Sequence, residues 1–153
     1  MIKYCLDKWN ENQKRLEAVL AADTSLNKCD YKYLVRLVVK HILNGDADSN
    51  FCYGWDAEHI TEVDNGDYQG TLLFLIPRDT DQPSEYEYLM TYVGYGSCCG
   101  CDTLQSIQDW GENTVNDRQL KDFMALCKDL VTNMVKPYNC GWRNEEEFEA
   151  VTV

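Results

Sequence analysis

The chain has 153 residues, 44% hydrophobic and 26% charged, a composition that fits one globular domain and excludes a disordered one. That length supports an apolar core without help from a metal or a disulfide. A net charge of −12 opposes direct contact with nucleic acid or anionic lipid, so neither is expected as a partner.

Along the first 22 residues, Ile2, Cys5, Leu6, Trp9, Leu16, Val19 and Leu20 recur at a 3.6-residue period, which predicts an amphipathic helix. After the break Asp23-Thr24-Ser25, Asp30 is an N-cap residue type placed to open a second helix. Its apolar face is Tyr31, Leu34, Val35, Val38, Val39 and Ile42, and Asn44-Gly45 supplies a left-handed stop. From Ala57 the period falls to 2: His59, Thr61 and Val63 alternate with Glu58, Ile60 and Glu62, predicting a half-exposed strand. Asn65-Gly66 predicts a tight hairpin into Thr71–Ile76, a strand apolar on both faces that Pro77 ends.

A third strand is predicted over Tyr86–Val93, with Tyr86, Tyr88, Met90 and Tyr92 on one face and Glu87, Leu89, Thr91 and Val93 on the other. Either face can be the buried one. The tyrosine face packs under the helices, or it is an aromatic platform for a partner. Asp102 and Gln105 have capping-box spacing and open a third helix with Leu104, Ile107 and Trp110 directed inward. A fourth helix starts near Asn116 or Asp117, carries the stripe Leu120, Phe123, Met124, Cys127, Leu130, Val131 and Met134, and ends before Pro137.

The order ααβββαα defines an α+β class: a three-stranded antiparallel meander, the doubly apolar strand in its middle, with four helices packed on it. One domain is expected over residues 1–143, and residues 144–153 read as an acidic tail, expected to be mobile. No apolar run reaches the roughly 18 residues of a membrane span, and the N-terminus lacks a signal core. No membrane contact and a cytoplasmic location are therefore expected. In that compartment the eight cysteines (5, 29, 52, 98, 99, 101, 127 and 140) are expected as free thiols.

The segment Gly94–Asp102 supports three readings. Cys98 and Cys101 have C-x-x-C spacing and Cys99 adds a third thiol, but a structural zinc site usually needs a second pair, and none is present. The same spacing before a helix suits a redox dithiol, although the preceding helices and strands are not those of a thioredoxin-like βαβ unit. The plainest reading is a tight turn of small residues leaving the sheet. Asp46-Ala47-Asp48-Ser49-Asn50 opens like a calcium loop but has Phe51 and Ala57 where glycine and glutamate are needed. A looser cation site from Asp46, Asp48, Asp79 and Asp81 is the weaker alternative to solvated acidic turns. His41 and His59 are the only histidines, and no catalytic motif accompanies them, so neither a catalytic residue nor a resident cofactor is expected.

The charge is unevenly spread. Residues 1–40 carry a net +3 and residues 41–153 a net −15. Asp46, Asp48, Asp56, Glu58, Glu62, Asp64, Asp67, Asp79, Asp81, Glu85 and Glu87 fall in one stretch whose only basic residue is Arg78. Such a run attracts basic partners, and these eleven residues are the candidate binding surface.

The run GTLLFLIPRDTDQPSEYEYLMTYVGYGSCCGCDTLQSIQDW, residues 70–110, resembles segments of small uncharacterised proteins encoded by bacteriophages and prophages of gut bacteria, over roughly residues 55–136. That resemblance carries no catalytic motif and implies an origin: a protein acting inside a bacterial host. The resulting expectation is a non-enzymatic acidic binding protein that engages a basic, nucleic-acid-binding host protein. The alternative is a zinc or redox protein centred on Cys98, Cys99 and Cys101.

Overall fold

The computed structural model describes residues 2–45 and 54–136. Helix α1 (Ile2–Ala22) is followed by a single 3₁₀ turn at Leu26–Lys28, then α2 (Tyr31–Val38), which continues into one π-helical turn over Val39–Leu43. Strands β1 (Thr61–Asp64), β2 (Gly70–Pro77) and β3 (Tyr88–Tyr95) form an antiparallel sheet in sequence order with β2 central. Helices α3 (Thr103–Ile107) and α4 (Asp117–Thr132) complete the α+β order anticipated from the pattern.

The helices bury most of the faces that their periods mark: Cys5, Trp9, Leu16 and Leu20 in α1, and Tyr31, Leu34, Val35 and Val38, joined by Leu37, in α2. Ile2, expected on the α1 face, is 42% exposed in the first turn, and Leu6 and Val19 are half-buried. Asp30 caps α2 by accepting the Tyr33 N–H at 2.9 Å. The other end closes with the Asn44 N–H bound to the Val39 carbonyl at 3.0 Å and with Gly45 at φ +59°. The Asn44 amide also exchanges two 2.8 Å bonds with the backbone of Trp55, which fastens α2 to the chain that enters the sheet.

Register decides which sheet face is inside. Phe74 lies opposite Glu62 and Thr91, and Ile76 opposite Leu89, so these side chains share one face. Phe74, Ile76, Leu89 and Thr91 are almost completely buried there against the helical layer. Full burial of side chains such as Phe74 and Phe123 stabilises by roughly 1.5–3 kcal/mol each. The Thr91 hydroxyl donates to the Leu130 carbonyl at 2.5 Å, tying β3 to α4 at a buried contact. The two-way alternative at β3 is thereby resolved: Leu89, Thr91 and Val93 face the core, and the tyrosine face lies outside it.

Several elements depart from the sequence pattern. Strand β1 begins at Thr61, because Ala57–His59 form a bend in which Asp56 accepts the Glu58 N–H at 2.9 Å. The β1–β2 connection spans residues 65–69 and is no two-residue turn; Asn65 Oδ1 accepts the Thr71 N–H at 2.8 Å and Asp64 Oδ1 the Gly66 N–H at 3.0 Å. Helix α3 stops at Ile107, since Gln108 turns into an extended conformation and its amide donates to the Leu26 and Cys29 carbonyls at 2.8 and 2.9 Å. Trp110, expected to face inward, therefore leaves the helical period and is 68% exposed. In α4, Leu126 takes a buried place that the stripe had left out, whereas Leu120 and Met124 are only half-buried.

A polar cluster organises the long loop before α4. Asn27, 1% exposed, donates to the Glu112 and Thr114 carbonyls at 2.9 and 3.3 Å and accepts the Asp109 N–H at 3.0 Å. Gln119 joins the full capping box of α4 with Asn116 and also donates to Asn27 Oδ1 at 2.8 Å.

Two substitutions test these tethers. Thr91→Val keeps shape but deletes the bond to Leu130, with an expected loss of about 1–2 kcal/mol, or roughly 2–8 °C in Tm. Asn27→Ala removes the partner of the Asp109, Glu112 and Thr114 backbone groups and of the buried Gln119 amide, and a loss of about 1–3 kcal/mol is expected in urea unfolding monitored by circular dichroism.

Candidate interaction surface and cysteine turn

Two features of the surface carry chemistry: the sheet face turned away from the helices and the turn after β3. On the sheet face, Val63 pairs with Leu73, Leu73 with Tyr92, and Leu75 with both Thr61 and Met90. These residues, with Tyr88, form a continuous apolar and aromatic face across three strands. None of Val63, Leu73, Leu75, Tyr88, Met90 and Tyr92 belongs to the core or packs against it. Val63 and Tyr92 remain 42% and 41% exposed, and Tyr86 beyond the start of β3 is also exposed.

The acidic residues group around this face unevenly. Asp67 lies in the β1–β2 connection, and Asp79, Asp81 and Glu85 lie in the β2–β3 connection, so carboxylates stand at both ends of the strands and all four are exposed. Glu87, partly buried at the start of β3, turns its carboxylate to the Ser84 N–H at 3.2 Å. Glu62 and Asp64 fall on the opposite, helix-side parity of β1, because they pair with Phe74 and Leu72. Asp64 accepts the Tyr95 hydroxyl at 2.5 Å, a bond that lowers its pKa and raises that of Tyr95 to about 12. Asp56 is held by His59 Nδ1 at 2.6 Å, and Glu58 is exposed beside them. Among the nine described carboxylates, Asp67, Asp79, Asp81 and Glu85 thus stand at the rim of the open face, whereas Glu62 and Asp64 lie on the helix side of the β1 edge. Asp46 and Asp48, with the calcium-loop segment they open, lie outside the described residues, as do Cys52, Cys140 and the tail at 144–153. Arg78, the one cation of the stretch, lies 4.2 Å over the Trp55 ring.

The cysteine turn is built around Asp102. This buried side chain accepts the Gln105 N–H at 2.9 Å and the Tyr31 hydroxyl at 3.0 Å on Oδ1, and the Gly96 N–H at 3.0 Å on Oδ2. The Tyr31 oxygen in turn accepts the Leu104 N–H at 3.0 Å, and burial, with the Asp102 carboxylate beside it, raises the phenol's pKa. Gln105 completes only half of the expected capping box, since its amide donates instead to the Gly96 carbonyl at 3.4 Å. With both ends held, the turn folds tightly: a Cβ on Gly96 would stand 2.5 Å from the Cys101 carbonyl oxygen and 2.6 Å from its sulfur.

In this turn the Cys98 and Cys101 sulfurs are 3.1 Å apart, both as free thiols and both exposed. The Cys98 thiol and its backbone N–H, the latter 3.3 Å from Cys101 Sγ, lower the Cys101 pKa, with a smaller contribution from Ser97. Cys99 is exposed alongside. Among the described residues no group of three or more His, Cys, Asp or Glu side chains is arranged to hold a metal, so the turn gathers no zinc set there. His59 is engaged with Asp56 and supplies no base to the cysteines in this geometry. Elsewhere, a groove of about 680 Å³ between α1 and α4, lined by Trp9, Glu17, Leu120, Lys121 and Met124 among others, carries charges of both signs without a converging reactive set.

Sequence reasoning found the cysteine turn and the tyrosine stripe, but missed Asn27, Tyr31 and Gln119 as hydrogen-bonding centres. Their only local signal is a polar or amphipathic residue on an apolar period. Comparison with protein-family models, curated proteins and solved structures finds no match. No helix among the described residues is long and apolar enough to cross a membrane.

Burial raises the Cys5 thiol pKa to about 11 and those of Cys29 and Cys127 to about 12, with Asp30 and Asp23 adding to the rise at Cys29. At pH 8 these three thiols stay protonated and slow to react. Brief alkylation of native protein followed by peptide mass spectrometry is expected to label Cys98, Cys99 and Cys101 ahead of Cys5, Cys29 and Cys127, and Cys5 and Cys127 only after unfolding.

Proposed function

We propose that this chain is a non-enzymatic binding protein that engages a basic partner protein through the open face of its sheet. The observation carrying this reading is that Val63, Leu73, Leu75, Met90 and Tyr92 form a connected apolar face excluded from the core, with acidic loops at its two ends. An apolar centre with a charged rim is the usual build of a protein interface. Tyrosine adds contact area together with a polar tip at low entropic cost.

Charge selects the occupant. A second copy would bring another −12 to the same contact, and the chain's own C-terminal residues include Glu145, Glu146, Glu147 and Glu149 against Arg143. Like charges at the rim disfavour both. A cationic protein gains from the rim and from the centre. A nucleic-acid-binding protein of a bacterial host fits that description, and its cationic groups would meet carboxylates where they otherwise meet phosphates. Asp67, Asp79, Asp81 and Glu85 are the rim residues assigned to that contact, while Asp64 is committed to Tyr95.

The test uses a purified core histone as cationic probe and calorimetry at two salt concentrations. Binding is expected to weaken as salt rises, and Tyr92→Ala to weaken it by about tenfold, the cost of losing one well-packed interface aromatic. Salt-sensitive binding that ignores Tyr92→Ala and Val63→Ala would reduce the attraction to bulk charge and remove the sheet face from the proposal. Absence of binding at low salt would end it.

A further inference from the structure

We propose that Cys98 and Cys101 form a redox-active dithiol that closes to an intramolecular disulfide by exchange with a small-molecule or protein disulfide. The geometry carries this step independently of the sheet face. The sulfurs already touch at 3.1 Å, and a disulfide at about 2.05 Å requires a movement of only about 1 Å. Both thiols are exposed to an incoming disulfide. The turn that holds them is fixed at one end by the Gly96 N–H and at the other by the Gln105 N–H, each bound to buried Asp102. Most surface cysteine pairs would lose entropy on closing; here the loop is already closed by hydrogen bonds.

The two sulfurs have distinct roles. Cys101 Sγ accepts the Cys98 N–H at 3.3 Å, with the Ser97 hydroxyl 4.0 Å away, so negative charge on this sulfur is the charge the turn stabilises. Cys101 thiolate attacks one sulfur of a disulfide RSSR, a Cys101–SR bond forms, and RS⁻ leaves to take a proton from water. Cys98, having given its proton to solvent, then attacks Cys101 Sγ. The Cys98–Cys101 bond forms and the second RS⁻ leaves. Two electrons pass from the protein to RSSR, giving one protein disulfide and two RSH. Cys99 is exposed in the same turn and is not needed in this sequence of steps.

The experiment exposes reduced protein to glutathione buffers of increasing oxidised fraction, followed by acid quench, alkylation of remaining thiols and peptide mass spectrometry. In the native chain and in Cys99→Ser, a Cys98–Cys101 cross-link lower by two hydrogens is expected without lasting glutathione adduct. Cys98→Ser should trap glutathione on Cys101. Cys101→Ser should slow adduct formation in the turn by about tenfold, since the stabilised thiolate is gone. Circular dichroism of each variant confirms that the fold is intact, as is expected for exposed side chains. A failure to cross-link across the whole buffer range overturns the inference. So does pairing through Cys99, or stoichiometric zinc bound by the reduced protein that blocks exchange.

Discussion

The arrangement of this protein depends on one choice of register. Strand β2 is apolar on both faces, so its own sequence does not say which side meets the helices. The choice is made where β3 lies against it, with Phe74 opposite Thr91 and Ile76 opposite Leu89, and where the Thr91 hydroxyl finds the Leu130 carbonyl of α4. Shifting β3 by one residue would send Thr91 and Leu89 outward and bring Met90 and Tyr92 under the helices. In the observed register the buried Thr91 hydroxyl has its partner in the Leu130 carbonyl, and the shifted one would forfeit that bond together with the burial of Leu89.

From that register the surface follows. The helical layer lies on one side of the sheet, with α4 against β3, and the described residues place the tyrosine stripe on the other. The outer edge of β3 is partly taken up: Val135 pairs with Met90 by two 2.8 Å bonds and the Asn133 amide donates to the Tyr92 carbonyl. Strand β1, with all four residues exposed, is the barer edge, and its charged Glu62 and Asp64 oppose chance pairing with another strand. The sheet therefore has one apolar face outside the core, one partly paired edge and one charged edge.

Buried polar side chains do for the loops what apolar contacts do for the elements. Asn27 and Gln119 hold the segment between α3 and α4, and Asp102 with Tyr31 holds the cysteine turn against α2. Asn27 and Tyr31 reach backbone groups more than seventy residues away, and Asp102 holds backbone N–H groups on both sides of the cysteine turn, so that a loop without its own regular structure still has one conformation. The closeness of the Cys98 and Cys101 sulfurs is a consequence of this bracing. Gly96 admits Cys101 because it has no side chain, and Asp102 keeps the two from separating.

The sequence by itself determined the order ααβββαα, the faces of α1 and α2, the caps at Asp30 and Asp102, the central place of β2 and the acidity of residues 46–87. Each of these follows from local period, local capping chemistry or composition, which the chain expresses before any long-range contact forms. Only the tertiary structure decided the rest. It chose the inner face of the sheet, ended α3 at Ile107 by drawing Gln108 to Leu26 and Cys29, and so put Trp110 in solvent. It also divided the carboxylates between the rim of the open face and the helix side of β1, a split no charge count reveals. Those outcomes depend on partners dozens of residues apart, such as Thr91 with Leu130 and Asn27 with Gln119, and their energies exist only once the chain has closed on itself.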